Sequence, residues 1–543
     1  MRAWMLGAVL WGCSSDTAVF DGTGGAGGQG GSSQGGSTVN TGGMASSTTT
    51  GPTRCEPGST LSCYTGPAGT AGVGTCMAGE STCTMDGSGY GECEGQVLPA
   101  FDDCSTNADE DCDGAVLPCT GAHLWSRKIE GGVGYNLAVD ASGNALVTGN
   151  AGTLDVGNGP MSGSGVYVAK YDPLGMPLFA GVYGAGTGPV PGNGVAADLN
   201  GNILLAGFFF GTSVDFGGGA LTNANQNYTD MYVAKLDPSG AHLWSKRFGD
   251  FDDQQAYRVT ADANGNVIVV GAVKGTVDFG GGPLMPIGGW DIAVAKLDPN
   301  GNHLWSKRYG DVADQWGLDA AVDTAGNVFV TGWFYGTVNF GGQQLSDLGG
   351  SDSFVVKLDP SGNHLWSKRL GGPQQQATWG IATDPSGNVT VAGMYDGVID
   401  LGGGPLPSAG SYDVFVGKLD PSGNHLWSKS FGDAGGQQIA MGVAVDLGGS
   451  VTVAGYFQSS VDFGGDLLIT AGSFDIFVAK LDAGGNHVWS QRFGDTVEQD
   501  CFDVGVTPSG DILVTGMFWG LLGFGGPPLT ATNADGYLAR FSP

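Results

Sequence analysis

The chain has 543 residues and a formal net charge of −31, with only 21 lysines and arginines. Its basic residues form no run, which excludes a free-standing nucleic-acid binder, because such a protein needs a basic face to neutralise phosphates. Glycine accounts for 103 residues, far above the usual share of about 7%, and its recurrence at fixed places indicates turns in a β protein rather than disorder.

Residues 1–13 have the pattern of an export signal. Arg2 is followed by a short apolar run and then by Cys13, which is the order of charge, apolar core and cleavage site in a signal peptide. Leu10 and Gly12 before the cysteine resemble a bacterial lipobox, which implies a lipid on Cys13 and a place at the outer membrane or cell surface. The alternative is an ordinary secretory signal with a chance cysteine. The anchor is the only membrane attachment that the sequence predicts.

Two segments of unusual composition follow. Residues 14–53 are almost all small and polar, and they predict a disordered, flexible linker because they cannot bury a core. Residues 54–120 hold eight closely spaced cysteines, which indicate a disulfide-rich module in an oxidising compartment with its pairing open. These disulfide candidates are Cys55, Cys63, Cys76, Cys83, Cys93, Cys104, Cys112 and Cys119.

The same module contains an acidic stretch with alternating carboxylates. Asp109, Asp111 and Asp113 precede a glycine, as in the first half of a calcium loop, where alternating oxygens converge on one hard cation. Asp102 and Asp103 are candidates for the missing oxygens. The segment resembles a metal-binding motif of bacterial surface lipoproteins, which implies bound Ca²⁺. The alternative is an acidic turn between disulfides.

From residue 121 to residue 543 the chain repeats one pattern. A marker of the type H-L-W-S recurs at intervals of 61, 61, 61 and 62 residues, and a degenerate copy at 177–180 completes a set of seven. Three further segments recur with it, of the types G-V-A-V-D, G-N-V-x-V-T-G and D-x-F-V-A-K-L-D. Each is short, rich in Val, Phe and Leu, and bounded by Gly, Asp or Pro, which is typical of strands. The marker tryptophans are Trp125, Trp244, Trp305, Trp366, Trp427 and Trp489.

Four strands per copy, joined by tight turns such as 359–363, predict a four-stranded antiparallel meander. The repeats begin with an H-L-W-S strand at His123 and end after a strand of the third type at 537–541, so the first strand is expected to complete the last copy. The fold class is therefore an all-β, seven-bladed β-propeller of four-stranded blades, with ring closure by the N-terminal strand. The D-x-x-G-N-V-x-V-T-G and F-V-A-K-L-D segments resemble the SBBP-type repeat of bacterial surface proteins, a relative of NHL repeats, which implies this fold and no specific activity.

The repeat pattern also indicates whether the histidines are catalytic or structural. All six histidines lie in H-L-W-S segments, and a residue repeated in successive copies indicates a scaffold position rather than a catalytic one. Cys501 at the start of a strand is interpreted as a buried free thiol. No catalytic residue and no enzymatic activity are predicted from these residues.

A repeated polar feature, G-D-x-x-x-Q, lies in the loops that lead from one copy to the next. Two interpretations are open: these side chains cap loop backbone amides, or they form a concave binding face with aromatic and basic residues that break the repeat. The candidate binding residues are Asp250, Gln254, Arg258, Trp290, Asp311, Gln315, Trp316, Gln376, Trp379, Asp433, Gln437, Asp495 and Gln499.

The sequence thus predicts a lipid-anchored cell-surface propeller that serves as a binding or structural module, in adhesion or protein interaction. Its partner is expected to be a protein or a glycan, and the chain is expected to be a monomer. One alternative is an extracellular glycan-active hydrolase or lyase that uses loop aspartates. The other is a passive surface display protein.

Overall fold

In the computed structural model, the described residues are 55–66, 70–98, 120–184 and 190–543. Within these ranges the structure is all-β, with 37 strands and no helix. None of the described segments is therefore a helix able to cross a membrane. The export signal and the linker predicted for residues 1–53 lie outside the described residues.

The cysteine-rich module contains one antiparallel hairpin held by disulfides. Cys55 is bonded to Cys83, and Cys63 is bonded to Cys93. Cys76 is disulfide-bonded as well, so the prediction of a disulfide-rich module is confirmed for the described cysteines. The hairpin consists of β1 (Thr60–Cys63) and β2 (Gly79–Thr82). The other disulfide candidates, Cys104, Cys112 and Cys119, lie outside the described residues.

The remaining strands follow the repeats. In chain order they are β3 (His123–Val139), β4 (Ala145–Asp155), β5 (Gly165–Tyr171), β6 (Pro177–Tyr183), β7 (Gly192–Ala197), β8 (Ile203–Phe209), β9 (Ser213–Val214), β10 (Leu221–Thr222), β11 (Asp230–Leu236), β12 (His242–Phe248), β13 (Gln254–Ala261), β14 (Val267–Val273), β15 (Asp291–Leu297), β16 (His303–Tyr309), β17 (Gln315–Val322), β18 (Val328–Phe334), β19 (Thr337–Val338) and β20 (Leu345–Ser346). They continue as β21 (Asp352–Leu358), β22 (His364–Leu370), β23 (Gln376–Thr383), β24 (Val389–Tyr395), β25 (Val398–Ile399), β26 (Leu406–Pro407), β27 (Asp413–Leu419), β28 (His425–Phe431), β29 (Gln438–Val445), β30 (Val451–Phe457), β31 (Ser460–Val461), β32 (Leu468–Ile469), β33 (Asp475–Leu481), β34 (His487–Phe493), β35 (Gln499–Val506), β36 (Ile512–Leu522) and β37 (Leu529–Phe541).

Four-stranded antiparallel units recur along the chain, which confirms the repeated units of a propeller-like fold. The four-stranded sheets have the orders β7-β8-β11-β12, β13-β14-β15-β16, β17-β18-β21-β22, β23-β24-β27-β28 and β29-β30-β33-β34. A further sheet has the order β35-β36-β37-β3-β4-β5-β6. In it, the first part of β3 pairs with β37, with His123 opposite Phe541, and the second part pairs with β4. One long strand therefore serves two units.

The first strand of each unit is its inner strand. Successive inner strands contact one another in the order β3, β7, β13, β17, β23, β29 and β35, and β35 contacts β3. Short hairpins such as β19–β20 lie in the long loops between the second and third strands. Residues of the inner strands and of the loops before them line one cavity.

The apolar core lies between neighbouring sheets. Val270 and Val294 of one unit pack in one cluster with Val330 and Phe354 of the next. Because both faces of each sheet are covered in this way, the third strands are buried along their whole length, as in β15. This double burial explains why their sequences are continuous apolar runs instead of alternating ones.

The D-P-S-G-N turns have a strict hydrogen-bond pattern. The side chain of Asp359 accepts hydrogen bonds from the backbone N–H groups of Ser361 and Asn363 and from the Asn363 side chain. Gly362 has a φ of +80°, which glycine adopts without strain. A Cβ on Gly362 would also lie 2.7 Å from the ring of Trp305 in the preceding unit, so the turn sequence serves contact between units as well as the hairpin.

A polar contact, here called the turn contact, joins several of these turns to the unit before them, at the carbonyls of Pro299, Pro360 and Pro421. Buried Lys296 lies 2.8 Å from Asp262 in its own unit, and its Nζ donates to the Pro360 carbonyl of the next. The same carbonyl accepts the indole N–H of Trp305 at 3.0 Å. Hydrogen bonds from Lys296 and Asn266 keep the pKa of Asp262 below its usual value, although burial alone would raise it. The equivalent ion pairs are Lys170–Asp140, Lys235–Asp198, Lys357–Asp323, Lys418–Asp384, Lys480–Asp446 and Arg540–Asp511.

The H-L-W-S histidines are structural. His303 Nε2 lies 3.0 Å from the hydroxyl of Ser306, and its ring packs so closely on Gly281 that a Cβ there would lie 2.2 Å away. The basic residues that follow are less exposed than an unpaired edge strand would suggest, because Arg308 reaches back to buried Asp291. The scaffold interpretation of this segment therefore has a structural basis.

Candidate functional site

The repeated Asp and Gln side chains of the predicted binding face are internal supports of their loops. Gln315 is fully buried and donates to Asp311 at 2.8 Å and to a backbone carbonyl. Asp311 in turn accepts from the backbone and hydroxyl of Thr337. Equivalent contacts join Asp250 to Gln254 and Asp495 to Gln499. This is the geometry of loop capping, one of the two interpretations left open by the sequence, and the assignment of these residues to a binding face stays a prediction.

In one loop the buried glutamine lies one residue further along the chain than the motif predicts. The buried side chain that bonds Asp433 is Gln438, at 3.1 Å, and not Gln437. This loop has one residue more between the Asp and the Gln than its equivalents, so Gln438, and not Gln437, is equivalent to Gln315. In the loop where Gly372 replaces the Asp, Gln376 instead accepts the Gly372 N–H and remains buried.

The inner strands carry a repeated bulge that turns one residue per unit towards the cavity. In β17, for example, the pairing with β18 shifts between Gly317 and Asp319, and such bulges re-aim a side chain. The equivalent positions are Asn136, Gly194, Arg258, Asp319, Gly380, Gly442 and Asp503. Polar side chains at four of them meet at the base of the cavity.

Asn136, Arg258, Asp319 and Asp503 form this floor cluster. Arg258 Nε lies 2.7 Å from Asp319, and Arg258 Nη1 lies 3.2 Å from Asp503. Asp503 also accepts from the side chain of Asn136 at 2.6 Å and from the backbone of Leu137. Arg258, a predicted binding residue, therefore has both of its carboxylate partners on other units and ties them across the channel.

Burial and charge oppose each other in the floor cluster. Burial raises the pKa of Asp319 to about 6, and the charge of Arg258 only partly offsets this effect. The two carboxylates raise the pKa of Arg258, although burial opposes that shift. Backbone N–H groups of Ala320 and Ile381 also donate to Asp319. These carboxylate oxygens are thus already engaged by donors of the protein.

Above the floor cluster, the cavity has a volume of about 650 Å³. Arg258, Trp290, Trp316 and Trp379 all line it, so the structure brings together the residues that break the repeat. Its aromatic lining comes from inner strands, second strands and loops. The aromatic lining residues are Tyr135, Tyr257, Trp290, Trp316, Trp333, Tyr335, Trp379, Tyr412, Tyr456 and Phe502.

The aromatic residues are concentrated on one side, here called the aromatic wall: Tyr257, Trp290, Trp316, Trp333 and Tyr335. Trp316 is at its centre, with ring centroids 4.8 Å from Trp290, 5.5 Å from Tyr257 and 5.6 Å from Trp333. Asp314 accepts the backbone N–H of Trp290 at 3.0 Å, which places a half-buried carboxylate at the edge of this wall. The wall therefore combines π-faces with one negative charge.

An exposed apolar rim borders the aromatic wall. Met285, Ile287 and Val312 are 64%, 50% and 77% exposed. They lie on two loops that pack together, since a Cβ on Gly288 would be 2.5 Å from Val312 Cα. Clustered exposed apolar side chains beside a cavity commonly mark an interaction site.

Two further titratable features lie away from the cavity lining. Burial raises the pKa of Asp500 to about 8, with a further contribution from Glu498. Cys501 is free and fully buried, as expected, and its thiol contacts the Asp503 carbonyl. Burial raises the pKa of Cys501 to about 12, so this thiol is not an activated nucleophile.

The predicted lipid-modified Cys13 lies outside the described residues, as do the predicted calcium ligands Asp102, Asp103, Asp109, Asp111 and Asp113. Within the ranges that the structure does describe, no cluster of His, Cys, Asp and Glu side chains is arranged to hold a metal ion.

Sequence reasoning missed much of the cavity lining. Tyr135, Tyr257, Leu318 and Phe502 line the cavity and each precede a bulge residue, at the position that the predicted Trp379 also occupies. Large side chains at one equivalent position of successive inner strands were a signal available in the sequence. That position cannot be recognised as cavity-facing, however, until the bulge is known.

Comparison with known proteins places the chain among repeat proteins without assigning an activity. No family model matches the sequence. An uncharacterized WD repeat-containing protein of Acanthamoeba polyphaga mimivirus is 25% identical over 455 residues, which cover 66% of this chain and 32% of that protein. The regulatory protein FlaEY of Caulobacter vibrioides is 25% identical over 368 residues, covering 63% of this chain and 37% of that protein. The chain thus spans about a third of the length of these curated relatives.

Solved structures of low similarity were also found. The WD40 β-propeller domain of Doa1 is matched with a TM-score of 0.40 and 12% identity, over 78% of this chain and 96% of that one. Sqt1 from Chaetomium thermophilum is matched with a TM-score of 0.39 and 10% identity, over 78% and 99% of the two chains.

Proposed function

We propose that this propeller repeat protein binds a protein partner at the mouth of its central cavity. The observation that carries the proposal is the aromatic wall, with the non-repeated Trp316 at its centre, beside exposed Met285, Ile287 and Val312. A specific partner must be recognised by surface that is not repeated around the molecule. Interface energy is concentrated in buried aromatic anchors, and the aromatic wall supplies such anchors.

The apolar rim favours a protein over a glycan. Stacking of sugar rings would use the aromatic faces, but exposed Met285, Ile287 and Val312 offer little to a hydroxylated ligand. Aliphatic and aromatic residues together suit apolar side chains of another protein. The contacts at the cavity floor likewise support binding rather than hydrolysis, because Asp319 and Asp503 are held by Arg258 and backbone donors.

The test is an array of proteins and glycans probed with the purified chain, followed by variants of the cavity. Trp316→Ala and Trp379→Ala are expected to abolish or strongly weaken the binding that the array detects, with unfolding temperatures close to that of the unaltered chain. Ser361→Ala, in an exposed turn on the opposite face, is the matched control. Normal binding by both tryptophan variants would show that the partner binds elsewhere.

We also propose that residues 121–543 form a closed ring of seven blades. The pairing of β3 with β37 and the contacts between β35 and β3 support this proposal. Deletion of residues 121–129 should expose the edge of β37 and lower the unfolding temperature markedly. A deletion of equal length within residues 14–53 should leave that temperature unchanged, and equal effects of the two deletions would contradict closure.

Export and lipid anchoring at Cys13 remain our proposal, on the lipobox resemblance alone. Labelled palmitate should be incorporated into the unaltered chain, and Cys13→Ala should release the protein from membranes. Unchanged processing and no incorporation would contradict the anchor.

Calcium binding by the module around Asp111 is a separate proposal. At a hundredfold excess of Ca²⁺ over its Kd, binding to the folded state alone would add about 2.7 kcal/mol of stability. Asp111→Ala should remove that gain, and no shift in the unfolding temperature with millimolar Ca²⁺ would leave the acidic-turn interpretation.

A further inference from the structure

We infer that the cavity receives a positively charged side chain, arginine or lysine, from an exposed basic segment of the partner. This inference rests on the proposed function and narrows it to one chemistry of ligand. Four features of the molecule carry it: the ring faces that line the cavity, the charges among them, the charges around the mouth and the exposed apolar rim.

The first feature is the set of aromatic rings that line the cavity. The faces of Trp and Tyr carry partial negative charge, and a cation within about 6 Å of a ring centroid is attracted to them. Tyr257, Trp316 and Trp379 come from different inner strands and line one cavity of about 650 Å³. This volume lies within the usual range of about 300–1,000 Å³ for ligand sites, so a long side chain entering it would meet several rings.

The charges that line the cavity favour a cation as well. Three carboxylates, on Asp314, Asp319 and Asp503, and one guanidinium, on Arg258, line it, which gives a formal charge of −2. Arg258 is already paired with Asp319 and Asp503 in the floor cluster. Among the described lining residues, the single cation is therefore neutralised within the protein, and Asp314 at the edge of the aromatic wall is left to face an incoming charge.

The charges around the mouth extend this preference outward. Asp250, Asp252 and Asp253 precede one inner strand, and Asp311 and Asp314 precede the next. The chain as a whole carries −31. An acidic surface raises the local concentration of cations and speeds their association, while it repels acidic segments.

The apolar rim indicates which residues flank the basic residue of the ligand. Met285, Ile287 and Val312 are exposed beside the aromatic wall, and they fit apolar residues on either side of an inserted arginine or lysine. An arginine suits this site well because its planar guanidinium stacks on aromatic faces and is weakly hydrated. The expected ligand is a short segment in which one basic residue is flanked by apolar ones.

The experiment uses the full chain and fluorescein-labelled peptides of sequence Gly-Leu-Leu-X-Leu-Leu-Gly, where X is Arg, Lys, citrulline or Glu. Citrulline keeps the shape of arginine without its charge. We expect binding of the Arg and Lys peptides, at least tenfold weaker binding of the citrulline peptide and no binding of the Glu peptide. Raising the salt concentration from about 0.15 to about 1 M should weaken binding of the Arg peptide, because salt screens the attraction between charges.

Variants locate the site. Trp316→Ala should abolish binding of the Arg peptide, and Asp314→Asn should weaken it several-fold. Asp466→Asn, which removes an equal charge from an exposed position on another loop, should leave it unchanged. Equal affinity for the Arg, citrulline and Glu peptides, or equal effects of the two Asp variants, would overturn the cationic ligand.

The same measurements separate the two proposals. A partner that depends on Trp316 but binds equally without any basic residue would overturn the cationic ligand and keep the cavity as the binding site. A glycan that depends on Trp316, with no binding of any peptide, would overturn the cationic ligand and the protein partner together. A protein partner indifferent to Trp316→Ala and Trp379→Ala would overturn the proposed function itself.

Discussion

The turn contact and the aromatic wall are built in opposite ways from the same repeat. The turn contact repeats a buried lysine, an aspartate and a turn carbonyl in successive units, as in Lys296, Asp262 and Pro360. The aromatic wall uses Trp290, Trp316 and their neighbours once, on one side of the cavity. Residues that recur hold units together, whereas those that occur once create a distinguishable surface. Experiments that separate stability from binding test this division.

The largest effect is expected from Lys296→Met. It leaves the carboxylate of Asp262 buried without its cation, and removing one partner of a buried ion pair commonly costs about 3–5 kcal/mol. Denaturant unfolding measures the loss. Lys274→Met removes an exposed lysine and should change stability by less than about 0.5 kcal/mol. Equal stability of the two variants would mean that the turn contact contributes little.

A crossed comparison of two tryptophans sharpens the division. Trp305→Ala removes a buried ring and its hydrogen bond to Pro360, and such truncations cost about 3–5 kcal/mol of stability. Trp316→Ala should instead weaken partner binding by about 2 kcal/mol or more, with a smaller change in stability. Unfolding curves and binding isotherms of both variants decide the matter. If each variant lost both properties equally, the two regions would not be functionally distinct.

The stability of the fold is expected to depend on pH through two different carboxylates, one at low pH and the other at higher pH. The pKa of Asp262 is lowered in the folded chain, so its contribution to stability is present above its unfolded pKa and is lost as the pH falls. The pKa of Asp500 is raised from 3.8 to about 8, so the folded state holds a proton that the unfolded state has released. Stability therefore falls as the pH rises through this window.

Asp500→Asn should remove that second dependence. Between about pH 4 and pH 8, the stability of the unaltered chain relative to the variant should fall by about 1.4 kcal/mol per pH unit. Unfolding free energies of both chains across this range give the slope. Parallel pH profiles would show that Asp500 is ionised in the folded protein at neutral pH.

The smallest effect is expected from Ser361→Ala in an exposed D-P-S-G-N turn. Its backbone N–H still donates to Asp359, so stability should change by less than about 0.5 kcal/mol. Partner binding should be unaltered, as measured by the same isotherms. A large loss of binding would place the interaction on the turn face and reverse the comparison.

The fold was predictable because its signals are local and repeated. Apolar runs of fixed spacing, separated by turns such as Asp359–Asn363, indicated four strands per copy, and the structure has these units. The final copy carried a less obvious signal: Thr507 replaces the usual aspartate, while Arg540 pairs with Asp511 instead. This exchange of partners shows that the ion pair itself was deducible from compensating substitutions.

The candidate site was predictable only in part. Arg258, Trp290, Trp316 and Trp379 could be selected because they break the repeat, and all four line the cavity. The partners of Arg258 could not be selected, because Asp503 lies 245 residues away in the sequence. Contacts across the centre of the molecule depend on the bulges and on the order of the units. Neither can be recognised from residues at a fixed spacing in the sequence.

The shared strand β3 has a consequence for the dynamics of the molecule. Amide hydrogens in a four-stranded sheet exchange with solvent when that sheet opens, independently of more distant units. β3 belongs to two units, from its pairing with β37 to its pairing with β4. Opening of β3 therefore exposes both units at once. The amides of β4 and β37 should exchange with a single protection factor, as one cooperative folding unit about twice the size of the other units.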